Sequence, residues 1–212
     1  MTIQQIVAPP VFGYIHEPDR EPIAGLVLTH GAGANCGSAL LVNLATQLAK
    51  LGWAVLRCDL PFRQKRRFGP PSPAQAQADR DGLKAAIREM RSKVTGQVFL
   101  GGHSYGGRQA SILAAEGGSE ITGLLLLSYP LHPPGKPQQL RTAHFSGIQS
   151  PSLFVQATSD PFGSPDEIAS AIELIPVKKE LLLLDGFGHD LGKGSAGAVA
   201  RIADKFSQFV SA

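Results

Sequence analysis

Ser104 has the setting that most directly suggests chemistry. It lies in Gly101-Gly102-His103-Ser104-Tyr105-Gly106-Gly107-Arg108, immediately after the apolar run Val98-Phe99-Leu100. Residues 102–106 read G-x-S-x-G, the pattern of a serine on a sharp strand-to-helix turn, where small neighbours let strand and helix approach and leave the hydroxyl exposed. Five residues match by chance often, but here the match follows an expected strand and opens an expected helix. An unperturbed serine is a poor nucleophile and needs a base, itself oriented by a third group. His189, in the glycine-rich segment Leu184-Asp185-Gly186-Phe187-Gly188-His189-Asp190-Leu191, is the expected base. Asp160 follows Leu153-Phe154-Val155-Gln156-Ala157-Thr158-Ser159 and is the expected acid.

Other residues compete for these roles. Asp185, Asp190 and Asp166 are alternative acids, but Asp190 adjoins the histidine and Asp166 is better used in a helix cap. Of the remaining histidines, His16 and His144 read as structural, and His103 is expected to pack beneath the turn that carries Ser104. His132, in a proline-rich loop, is a candidate substrate contact or a surface residue. Acyl transfer also needs donors for a developing oxyanion. The backbone N–H of Tyr105, the residue after Ser104, is one. The other is expected from His30-Gly31-Ala32-Gly33-Ala34-Asn35, which resembles the H-G-G-G loop of esterases; Ala32 is assigned, with Gly33 as the alternative.

The same loop has a rival reading. Gly31-Ala32-Gly33-Ala34-Asn35-Cys36-Gly37 nearly matches the dinucleotide fingerprint G-x-G-x-x-G. Its third glycine comes one position late, the acidic residue would have to be Asp59, and Ser104, Asp160 and His189 would be left without a role. No cofactor is expected. Cys36 and Cys58 lack Cys-x-x-Cys spacing and no cluster has metal-ligand spacing, so no metal is expected either.

These residues need a scaffold that brings distant loops together. Six short apolar runs recur: Leu26-Val27-Leu28, Ala54-Val55-Leu56, Val98-Phe99-Leu100, Leu124 to Leu127, Leu153-Phe154-Val155 and Leu181 to Leu184. Being continuous rather than alternating, they predict strands covered on both faces, as in a parallel sheet. Val11 to Ile15 alternates more and is expected at an edge. Between the runs lie helical stripes: Leu83, Ile87, Met90 and Val94; Ile168, Ile172 and Ile175; Val199, Ile202, Phe206, Phe209 and Val210. Ser72-Pro73-Ala74-Gln75 and Ser164-Pro165-Asp166-Glu167 look like capping boxes with proline at the first helical position. Gly117-Gly118 is expected to stop the helix that begins near Tyr105. The fold class is therefore α/β, a doubly wound, mostly parallel sheet of about six or seven strands, with its ligand site at the carboxyl ends of the strands. Serine, acid, histidine is the chain order of the α/β-hydrolase fold.

Composition narrows the rest. The chain has 212 residues, 43% hydrophobic and 17% charged, with a formal net charge of +3. That suits one domain over 1–212 and excludes intrinsic disorder. No apolar run approaches a membrane span, the start carries no secretion signal, and two cysteines make no disulfide framework; a cytoplasmic protein is expected. The basic run Arg63, Lys65, Arg66, Arg67 reads as a solvated loop or a rim that attracts anionic substrates, not as a nucleic-acid site.

The chain from about Leu26 onward resembles the small α/β-hydrolases described as dienelactone-hydrolase-like, and most of all the bacterial relatives of a testis-expressed hydrolase-like protein and of a subunit of the chromatin-modifying NSL complex. The segments that carry the resemblance are Gly102 to Arg108, Tyr129-Pro130-Leu131-His132-Pro133-Pro134-Gly135-Lys136-Pro137, Leu140-Arg141-Thr142, Asp160-Pro161-Phe162-Gly163 and Gly188-His189-Asp190-Leu191. The resemblance implies a Ser–Asp–His hydrolase. Dienelactone hydrolases themselves have cysteine where this chain has Ser104, and some relatives serve as subunits rather than catalysts. The expected activity is hydrolysis of a small carboxylic ester by Ser104, Asp160 and His189; a non-catalytic interaction module and a thioesterase or acyltransferase are the alternatives. Residues 129–150, with four prolines, are too few for a large lid, so a shallow pocket is expected. Arg63, Arg108 and Arg141 are expected to border it and to suit an anionic acyl group, although Arg108 could equally brace the elbow helix. The expected partner is a small-molecule ester, with no nucleic acid and no membrane, and the chain is expected to be a monomer or a homodimer.

Overall fold

The uninterrupted apolar runs become the central strands of one sheet because helices cover both of its faces. The computed structural model describes residues 1–117 and 121–211. Eight strands occur among them: β1 (Thr2–Ala8), β2 (Val11–Glu17), β3 (Ala24–Thr29), β4 (Trp53–Cys58), β5 (Val98–His103), β6 (Leu124–Leu127), β7 (Ser152–Ala157) and β8 (Lys179–Leu184). Their order is β1-β2-β4-β3-β5-β6-β7-β8. The β1–β2 and β2–β4 pairs are antiparallel and the rest are parallel.

Helices α1 (Ala39–Lys50), α2 (Pro61–Lys65), α3 (Ala76–Arg91), α4 (Tyr105–Ala115), α5 (Pro165–Ile172) and α6 (Ala196–Ser211) divide between the faces. On one face, Leu83, Ile87 and Met90 of α3, Leu113 of α4 and Ile168 and Ile172 of α5 pack on Val27, Leu56, Leu100, Leu126 and Phe154. On the other, Leu41, Leu44 and Leu48 of α1 and Val199, Ile202 and Phe206 of α6 pack on Leu26, Leu28, Val55, Leu125 and Val155. The predicted stripes are thus core faces. Both expected capping boxes form; the one at Ser72 opens a 3₁₀ turn (Pro73–Gln75) that leads into α3.

Three expectations at the margins change. The sheet has eight strands among the described residues, because Thr2–Ala8, mostly exposed and with only Ile6 buried, adds an antiparallel β1. Val11–Glu17 is accordingly an internal strand between β1 and β4, not the edge. Leu181 to Leu183 are only half-buried, since β8 forms the opposite edge. Gly117 does end α4, in a left-handed conformation with φ of +96°, whereas Gly118 lies outside the described residues. The 129–150 segment contains only one 3₁₀ turn (Phe145–Gly147), so no large lid stands over the strand ends. No helix among the described residues is long and apolar enough to cross a membrane.

Candidate active site

The turn from β5 into α4 sets Ser104 in a backbone conformation that non-glycine residues seldom adopt, φ 52° and ψ −115°. Two glycines make the turn possible. A Cβ on Gly106 would come 2.6 Å from the His30 carbonyl oxygen, and one on Gly102 2.7 Å from the Gly106 backbone. Ser104 therefore sits at the mouth of the sheet with its Oγ 2.8 Å from His189 Nε2.

On the other side of that imidazole, Nδ1 lies 3.0 and 2.8 Å from the two carboxylate oxygens of Asp160. The carboxylate is buried and acceptor-only, so Nδ1 carries the proton and Nε2 is left to accept from the serine hydroxyl. Asp160 is fixed in turn by the Phe162 N–H at 2.9 Å and by Gln156 Nε2 at 3.0 Å. The Phe162 ring lies 4.3 Å from the His189 ring, tilted by 35°. His103 Nε2 donates to the His189 carbonyl at 2.8 Å, which pins the loop beneath the imidazole. Burial above all holds His103 down to about 4, so it stays neutral near pH 7.

Ala32 and Tyr105 both line the cavity beside Ser104. Neither the Ala32 nor the Tyr105 N–H has an acceptor among the described residues. Ala32 stands on the loop after β3, where a Cβ on Gly31 would lie 3.4 Å from the Ser104 Cβ. Tyr105 begins α4, and its phenol donates to Asp79 Oδ2 at 2.8 Å, while Asp79 Oδ1 accepts the Phe62 N–H at 3.0 Å. Burial raises the Asp79 pKa against the pull of those two bonds.

A cavity of about 570 Å³ opens beside Ser104, lined by Ala32, Tyr105, Arg108, Arg141 and Phe162 and walled by Pro70, Pro71, Pro73 and Pro130. Arg80 also lines it but is paired with Glu116 at 3.1 Å. Arg108 and Arg141 have no ion-pair partner among the described residues, and burial followed by the Arg108 charge pushes the Arg141 pKa down.

Residues 22–210 match a family model described as an alpha/beta hydrolase domain. The chain belongs to the α/β-hydrolase family. Solved structures with the same fold include an alpha-beta serine hydrolase homologue from Coxiella burnetii, 18% identical, with 96% of each chain covered and a TM-score of 0.75. Est1E from Butyrivibrio proteoclasticus with ferulic acid bound is 14% identical, covering 99% of this chain and 100% of that one, with a TM-score of 0.78. A dienelactone hydrolase from Anabaena variabilis is 19% identical, covering 94% and 90%, with a TM-score of 0.71. At these identities the likeness is one of fold.

Several residues of this α/β-hydrolase lie elsewhere than expected. Arg63 is buried rather than solvated and does not line the cavity; its guanidinium bonds to backbone carbonyls. His132 is also buried away from the cavity, bonded through Nδ1 to the Pro133 carbonyl and 3.4 Å from Glu167. Asp59, the acid of the dinucleotide reading, accepts the Cys36 N–H instead. Burial chiefly pushes the Cys36 thiol up to about 12, which leaves it protonated and unreactive. His16 takes a bond from Arg57 Nε at 2.8 Å and His144 bonds Ser111 Oγ at 2.8 Å, so both are structural. Asp190 caps its own turn by accepting the Gly192 N–H. Sequence reasoning passed over Gln156, Phe162 and Asp79; only Phe162, inside Asp160-Pro161-Phe162-Gly163, stood within a motif that pointed here.

Proposed function

We propose that residues 1–212 form a single-domain serine hydrolase that cleaves a small carboxylic ester through an acyl-enzyme. The observation that carries this reading is the continuous hydrogen-bonded line from Asp160 through His189 to Ser104. Ser104 Oγ attacks the ester carbonyl carbon while His189 Nε2 takes its proton. The carbonyl oxygen becomes an oxyanion that accepts from the Ala32 and Tyr105 N–H groups. Collapse expels the alcohol, which leaves with the proton from His189. A water, deprotonated by His189, then attacks the acyl carbon, and the carboxylic acid departs as Ser104 regains its proton. Asp160 keeps the imidazole in the productive tautomer and stabilises its cation.

Arg108 and Arg141 border the cavity as substrate contacts, while the positions of Arg63 and His132 remove them from that role. The absence of a large lid among the described residues favours small or extended esters over buried lipid chains. Two buried, unpaired thiols suit a reducing cytoplasm.

Labelling with a neutral fluorophosphonate tests the reading. The parent protein should react at Ser104, and Ser104→Ala should lose both labelling and ester turnover while staying folded. An unreactive parent would leave the fold as an interaction module.

A further inference from the structure

The loop that carries Ala32 has little of its own to hold it. Its residues are Gly31, Ala32, Gly33 and Ala34, and a Cβ placed on Gly33 would meet nothing within 4 Å. The Gly31 carbonyl accepts from the Ala34 N–H at 3.1 Å, which closes a turn, and from His30 Nδ1 at 2.9 Å. A donor that stabilises an oxyanion must stand in place before the charge forms, because reorganising during the reaction forfeits most of the benefit. With the Gly31 carbonyl held locally, the Ala32 carbonyl is the part of the loop left to be fixed from outside.

The outside tie is Arg63 on α2. Its guanidinium donates from Nη2 to the Ala32 carbonyl at 2.7 Å and to the Gly69 carbonyl at 3.0 Å. Nη1 donates to the carbonyls of Arg67 at 2.6 Å and Arg66 at 3.2 Å. Arg63 is only 7% exposed and has no carboxylate partner among the described residues. Burying a cation without an anion is costly, and four carbonyls that a neutral loop could have turned to water make a dear way to hold residues 66–69 alone. The contact that reaches out of this local segment is Ala32. The neighbouring residue serves the second donor: the Phe62 N–H holds Asp79, Asp79 holds the Tyr105 phenol, and the Phe62 ring packs edge-on against Tyr105 at 5.7 Å. Adjacent residues of one short helix thus tie both donors.

We propose that Arg63 is a positioning residue for acyl transfer, anchoring the loop at the Ala32 carbonyl so that the N–H of the same residue, one peptide unit back, meets the developing oxyanion. This rests on the ester-hydrolysis reading above. The planar fork explains the residue type, since a lysine ammonium on a flexible stem cannot span the same four carbonyls.

The test compares Arg63→Lys and Arg63→Ala with Arg67→Ala, which removes an exposed charge from the same segment. For each, kcat and KM are measured on a neutral p-nitrophenyl ester, with the affinity of a trifluoromethyl ketone that adds the serine and mimics the oxyanion. Both Arg63 variants should lose about 10–100-fold in kcat with KM within about threefold, and bind the ketone weaker by a similar factor. Arg67→Ala should keep the parent kcat. Millimolar guanidinium should restore part of the Arg63→Ala rate and none of the Arg63→Lys rate. If Arg63→Ala fails to fold, Arg63→Lys carries the test. A parent kcat in Arg63→Lys, a loss confined to KM, or ketone affinity unchanged while kcat falls would each overturn the proposal. A parent protein that fluorophosphonate does not label would instead end the ester-hydrolysis reading on which it rests.

Discussion

Asp160 accepts from the imidazole that faces Ser104 and from two further donors, Phe162 and Gln156, that hold the carboxylate against it. Gln156 is the least conspicuous of them. It is wholly buried on β7, four residues before the carboxylate, and its Nε2 divides between Asp160 Oδ2 at 3.0 Å and the Gly163 carbonyl at 3.2 Å. Replacing it with methionine keeps the volume and removes both donors. A lost bond to a buried charged group costs about 1.5–3 kcal/mol, so Gln156→Met should lose that much stability and unfold at a lower urea concentration. The freed carboxylate no longer pins His189 in a single orientation, so kcat should fall more than KM rises. Urea titration and steady-state kinetics on one preparation check both; parent stability would show that the Phe162 N–H alone holds Asp160.

Beside α3 and α4, two proline-rich segments make walls of the cavity, and apart from the 3₁₀ turn that begins at Pro73 neither is regular structure there. Residues 70–73 stand on one side, and the start of the 129–150 segment, with Pro130 and Arg141, on the other. Tyr129 ties the second wall by donating to the Arg141 carbonyl at 2.7 Å, and Arg141 Nη1 returns to the Pro130 carbonyl at 3.2 Å. Arg141 of the second wall and Arg108 of α4 bring two guanidinium groups to the cavity with no carboxylate partner among the described residues, beside Arg80 of α3, which Glu116 neutralises. Like charges held in a half-buried cleft favour an anion between them. A p-nitrophenyl hemiester of a short dicarboxylic acid should therefore be hydrolysed with about tenfold higher kcat/KM than the neutral ester of similar length, and Arg141→Gln should lower that ratio. Preference for the neutral ester would count against a charged acyl group. The strand ends that bear Ser104, Asp160 and His189 were legible in the sequence because period and turn chemistry are local signals. The walls were not. The charge run that begins at Arg63 looked like a wet loop, since nothing in its composition shows that four carbonyls would fold around the first arginine. β1 escaped for a similar reason: an edge strand with one buried side chain leaves almost no hydrophobic pattern.

At the scale of the whole molecule, the sheet is surrounded by histidines kept neutral by burial. His16, His103 and His144 are each lowered to about 4, with burial the first cause in all three, and His30 is lowered in the same way. In the unfolded chain each returns to about 6.5. Between pH 6.5 and about 4 the unfolded state therefore binds protons that the folded state refuses, and stability must fall as pH falls through that window. Above the window these groups contribute no pH dependence, and below it the loss levels off. Asp79 works the other way: its raised pKa means the folded state takes up a proton first, which returns some stability in acid. It is one group against four. His16, wholly buried between Arg57 and Thr46, should alone contribute on the order of 1–2 kcal/mol of the loss between pH 7.5 and 5. Urea unfolding followed at both values should show a lower midpoint at pH 5 with an unchanged slope. His16→Asn should shrink the difference between the two midpoints, because asparagine cannot take the proton. Equal midpoints at pH 7.5 and 5 would mean that these imidazoles find water, or a counter-charge, on protonation without unfolding the sheet around them.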